Sequence, residues 1–128
     1  MSPAIEKVVF CHTMPGIGTR NSADRGELRP LFMFGNAGDE KGHPPNDCFA
    51  ERELLLSLAE IVETRISDLD VDFNFCDVIR FNHPYTGINS LSRFEPEEVR
   101  GKQPFTIEIN RDLLLHNPDN IKPTRAIV

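Results

Sequence analysis

The chain has 128 residues, 39% of them hydrophobic, with 14 basic against 20 acidic side chains and a net charge of −6. That length suits one domain, which buries about two-thirds of its unfolded surface. The composition excludes a disordered chain, and the negative charge excludes nonspecific binding to nucleic acid.

Three cysteines, Cys11, Cys48 and Cys76, include no CxxC pair, so they give no zinc-ribbon signal and suit a reducing compartment. Met1-Ser-Pro-Ala-Ile-Glu-Lys7 lacks the layout of a signal peptide. No apolar run approaches the roughly 20 residues of a membrane span. The chain therefore reads as cytoplasmic and soluble, without a membrane or nucleic-acid partner.

Lys7 to Cys11 is a short apolar, β-branched run and predicts a buried strand. Pro15 and Gly16 end it, which places His12 at the C-terminal edge of that strand, where ligands collect in open α/β sheets. Ile17 to Arg29 is polar and reads as an exposed loop. Leu31 to Phe34 is a second apolar run, closed by Gly35-Asn-Ala-Gly38. Asp47 is the expected N-cap of a helix over Cys48 to Ile66, with Leu54, Leu55, Leu58, Ile61, Val62 and Ile66 at helical spacing.

Val71 to Cys76 alternates apolar and polar residues, and Val78 to Phe81 follows closely, so one or two strands should end at the turn Asn82 to Gly87. Glu95 to Arg100 predicts a helical turn within a polar stretch. Phe105 to Ile109 alternates, with Phe105, Ile107 and Ile109 on one face and Thr106 and Glu108 on the other. Asn110 should cap a short helix beginning Arg111 to Leu115. Residues 1–116 then form the domain and 117–128 a tail. The fold class is α/β, with the strands at 7–11, 78–81 and 105–109 in one sheet against the helix.

A carboxylate in mid-strand, such as Glu108, faces either solvent or a site. A histidine beside a turn, such as His12, is either a hydrogen-bonded surface group or a ligand. Four segments together resemble the N-formylglutamate amidohydrolase family. They are Val8-Val-Phe-Cys-His-Thr-Met-Pro15, Phe34-Gly-Asn-Ala-Gly38 with Cys48 beyond it, Arg80-Phe-Asn-His-Pro-Tyr-Thr-Gly87, and Thr106-Ile-Glu-Ile-Asn-Arg111.

The resemblance implies a three-layer α/β/α domain with a mixed sheet, an incomplete version of the phosphorylase/hydrolase-like fold. It implies a metal-dependent hydrolase that cleaves the amide of an N-formyl or N-acyl amino acid through a zinc-bound water. His12 corresponds to a zinc ligand and Glu108 to the carboxylate that takes the water's proton. Asn82 and Tyr85 would line the substrate pocket, with Arg80, Arg93 and Arg111 as candidates for holding the substrate carboxylate.

The family's first zinc ligands lie in an N-terminal part with no counterpart here, and Phe10 stands where the family has an aspartate. His43 and His83 have no partner at ligand spacing, and Pro118 breaks the His116 to Asp119 pair. One histidine and one carboxylate cannot fill a tetrahedral site, so zinc on the isolated chain should be weak or absent. The alternative function is a non-catalytic truncated domain that binds a small carboxylate ligand or a partner chain. A missing N-terminal half would also bare apolar surface and favour self-association into a homo-oligomer.

Overall fold

The structure is a computed structural model and describes residues 7–117. Four strands form one mixed sheet: β1 (Val9–Met14), β2 (Phe32–Gly35), β3 (Ile79–Phe81) and β4 (Phe105–Asn110). Their spatial order is β1-β4-β2-β3, with β1 parallel to β4, β4 antiparallel to β2, and β2 parallel to β3. The expected three strands do share a sheet. The Leu31 to Phe34 run supplies a fourth, β2, which stands between β4 and β3.

Helix α1 (Arg52–Ile66) covers one face of this sheet. Its Leu55 and Ala59 are buried against Phe34, Phe105 and Ala50, with Leu54, Leu58, Val62, Ile79 and Ile107 packed around them. Ile61, expected on this stripe, is 57% exposed. Short helices α2 (Ile88–Leu91), α3 (Pro96–Val99) and α4 (Arg111–His116) complete the secondary structure. Glu95 and Glu98 close a capping box on α3, and Asn110 Oδ1 accepts the Asp112 N–H at 2.9 Å to cap α4.

Several boundaries differ from the sequence expectation, each for a local reason. Strand β1 runs on past Cys11 because Thr13 and Met14 continue the ladder opposite Ile109 and Asn110, until Pro15 removes the next N–H. His12 is therefore inside the strand and not at its edge. Helix α1 begins at Arg52 and not after Asp47. The Cys48, Ala50 and Glu51 N–H groups donate to Asn46 Oδ1, the Pro104 carbonyl and Gln103 Oε1, which holds 48–51 in a non-helical connection.

Val71 to Cys76 is not a strand. Phe73 packs on Phe75 and on His116, with ring centroids 6.1 and 5.6 Å apart, so its alternation serves a side-chain cluster. The loop from Ile17 to Arg29 is not uniformly exposed either. It folds back on itself through bridges Ile17–Leu28 and Gly18–Arg25, and it buries Asp24 and Arg29. Asn117 is buried at the end of α4 rather than part of a tail, and residues 118–128 lie outside the described residues. Among the described residues no helix is long and apolar enough to cross a membrane.

Leu55 is fully buried in the α1–sheet layer. Leu55→Ala should cost about 2–5 kcal/mol of unfolding free energy in denaturant melts. Ile61→Ala, on the same helix but exposed, should stay within about 0.5 kcal/mol.

Candidate functional site

Successive side chains of a strand point to opposite faces. The register that sends Phe105 and Ile107 toward α1 therefore sends Thr106, Glu108 and Asn110 to the other face. On that second face the ladder aligns His12, Glu108, Met33 and Arg80 in one row across β1, β4, β2 and β3. His12 and Glu108 are immediate neighbours on strands about 4.8 Å apart. Met33, fully buried, separates Glu108 from Arg80.

His12 and Glu108 open on a cavity of about 310 Å³, which Met14, Pro15, Tyr85 and Ser90 also line. Ser90, on α2, brings its Oγ to 3.5 Å from His12 Nε2. Burial raises the Glu108 carboxyl above the ordinary carboxylate range, while the positive charges of His12 and Arg29 pull the other way. A half-buried carboxyl in a cleft whose pKa is shifted by desolvation is a candidate for a functional group.

Tyr85 reaches this cavity because two loop segments are tied together. Asn82 Oδ1 accepts the Asn36 N–H at 2.9 Å, and its Nδ2 donates to Asn36 Oδ1 at 2.8 Å and to the Asp39 carbonyl at 2.6 Å. The Ala37 N–H donates to the Thr86 carbonyl at 2.8 Å. Gly35 lies so close beneath this turn that a Cβ would come within 2.5 Å of the Thr86 carbonyl oxygen. The resulting clamp fixes the Asn82 to Gly87 turn over the sheet.

Behind Tyr85 lies a buried cation. Arg29 has no exposed surface, and its Nε and Nη2 donate to Asp24 Oδ2 and Oδ1 at 2.9 and 3.2 Å. Nη2 also donates to the Tyr85 hydroxyl at 3.0 Å and to Ser22 Oγ at 2.9 Å. The guanidinium carbon sits 4.9 Å from the Tyr85 ring centre. Ser22 Oγ is 3.3 Å from the Tyr85 hydroxyl. The Ser22 hydrogen bond, with the bond and charge from Arg29, holds the Tyr85 phenol below its ordinary value against the opposing effect of burial. Arg29 Nη1 is buried with no hydrogen-bond partner among the described residues.

Of the residues singled out in the sequence, His12, Glu108 and Tyr85 come together. Asn82 is buried with its amide committed to the loop clamp. Arg80 pairs with Asp77 at 2.7 Å and lines a separate cavity of about 450 Å³ with Glu27, Glu40 and His83. Arg93 and Arg111 are exposed on loop and helix surfaces away from the cavity's lining. Among the described residues no three His, Cys, Asp or Glu side chains gather where they could hold a metal ion. The sequence reading missed Asp24 and Arg29. The only signal was position: Arg29 directly precedes Pro30 and the apolar run of β2.

Because folding raises the Glu108 pKa, the folded state favours its protonated form. That contribution is complete below the unfolded carboxyl's pKa and is lost as pH rises through the folded value. Glu108→Gln, which mimics the neutral acid, should melt above the parent chain at neutral pH, and the gap should close in acid. Thermal melts over a pH series read this directly, and a gap independent of pH would attribute it to packing. No protein-family model, no curated protein and no solved structure matches this chain.

Proposed function

We propose that the cavity between β1, β4 and the Tyr85 turn is the hydrolytic site of an N-formylglutamate amidohydrolase-type protein, acting on an N-formyl or N-acyl amino acid. The supporting observation is the pairing of His12 with Glu108 across one ladder, facing a cavity that Tyr85 also borders. Three of the four segments that carry the resemblance thereby contribute to one cavity. The same reading takes the sheet and α1 as part of a three-layer, phosphorylase/hydrolase-like domain working in the cytoplasm.

In this reading Glu108 takes a proton from the attacking water and returns it to the amide nitrogen as the C–N bond breaks. Its raised pKa suits both halves of that transfer. A catalytic zinc takes about three protein ligands and leaves a position for water. Within residues 7–117 the cavity offers His12 and Glu108 as donors, and this pair does not fit a zinc site. Further donors, if the site uses them, would come from outside these residues or from a partner chain.

The short donor set favours a second reading, a domain that binds a small acid without hydrolysing it. The test is amine release from N-formyl and N-acetyl amino acids, with and without added zinc, alongside ligand binding. Turnover should fall on the order of 10²–10⁴-fold in Glu108→Gln, and His12→Ala should also lose activity. Full activity in Glu108→Gln removes the proposed base. Binding without turnover under either condition selects the second reading. One tightly held zinc per isolated chain, lost in His12→Ala, would show that the donor set is larger than the cavity displays.

A further inference from the structure

We infer that Tyr85 donates a hydrogen bond to the amide oxygen of the bound substrate, and that the buried Arg29 is the positioning residue that aims its hydroxyl. This deepens the hydrolytic reading and rests on it. The observations are geometric. Tyr85 borders the cavity that Glu108 and His12 share, while Arg29 Nη2 donates to its hydroxyl oxygen at 3.0 Å and the guanidinium lies 4.9 Å from its ring centre. A phenol oxygen that accepts from a cation has its own proton free to donate and donates it more strongly.

A purely structural role explains this arrangement poorly. A buried ion pair is weak support for stability. What the pair does accomplish is to fix Tyr85, which lines the same cavity as Glu108. When water adds to the substrate carbonyl, its oxygen gains negative charge. A fixed hydroxyl donor stabilises that charge without giving up its proton.

The groups that act on the Tyr85 hydroxyl are Ser22, Arg29 and Thr19 from the folded-back loop, with Asp24 paired to Arg29 and with His12 and Glu108 lining the same cavity. Arg29 and Ser22 lower the phenol pKa, so the donor is lost as pH rises through that lowered value. The chain has one tyrosine and no tryptophan, so its near-ultraviolet tyrosinate absorbance reports Tyr85 alone.

The experiment titrates that absorbance in the full chain and in Ser22→Ala and Arg29→Gln, and measures amide hydrolysis in each and in Tyr85→Phe. The parent tyrosinate should appear below the range of free tyrosine, and both substitutions should move it up, the alkaline limb of activity moving with it. Tyr85→Phe should lower kcat on the order of 10²-fold with little change in KM. If Arg29→Gln does not fold, Ser22→Ala carries the titration. A parent titration at or above the free-tyrosine range, or one unmoved by the substitutions, overturns the inference. So does undiminished kcat in Tyr85→Phe. No hydrolysis by the unaltered chain overturns the underlying reading instead.

Discussion

Strand β4 pairs with β1 on one side and β2 on the other, and the register of those two ladders controls both the core and the site. Its period of two sends Phe105 and Ile107 to the α1 layer and Glu108 to the cavity. A slip of one residue would turn Glu108 toward Leu55 and Ala59 and leave the apolar set facing the cavity. The cost of an unpaired carboxylate in an apolar layer makes that alternative strongly unfavourable. The packing of α1 therefore fixes the chemistry on the opposite face. Strand β4 couples helix and site because each packs against one of its two faces.

The second face is organised by polar groups. Asn36, Asn82 and Asn110 are buried with their amides bonded, and Asp24 and Arg29 form a buried pair. Each such group is tolerated because its partners are fixed. A buried donor left unsatisfied costs about 1–3 kcal/mol, which is what these fixed partners avoid. The Asn36–Asn82 exchange closes a loop clamp, and closing it sets where Tyr85 stands.

How much of this was legible follows from what each residue contacts. The alternation of Phe105 to Ile109 and the stripe of Leu54, Leu55, Leu58 and Val62 are periodic signals of a one-sided core, and β4 and α1 formed where those signals lie. Val71 to Cys76 has the same alternation, but a Phe73–Phe75 cluster uses it, and periodicity cannot distinguish the two. The start of α1 was misread because the amides before it bond to residues about fifty positions away. For the site, His12, Glu108 and Tyr85 lie within the recognised segments. Asp24 and Arg29 sit in a polar loop, where burial depends wholly on a fold-back that no local pattern records.

Asp24 and Glu108 stand in different environments, and Arg29 pairs with only one of them. A buried arginine without a partner would draw the nearest carboxylate into an ion pair and hold it ionised. Asp24 occupies Arg29 through Nε and Nη2, so Arg29 only partly offsets the burial of Glu108. His12, its direct neighbour on β1, lowers the Glu108 pKa more than Arg29 does, and burial outweighs both. Glu108 thus keeps a raised pKa although His12 and Arg29 both pull it down. The Arg29 ion pair belongs to Asp24, and Glu108 answers mainly to its own burial. Loss of the Asp24 carboxylate would free the Arg29 charge from its partner and strengthen its pull on Glu108, lowering the Glu108 pKa toward the ordinary carboxylate range.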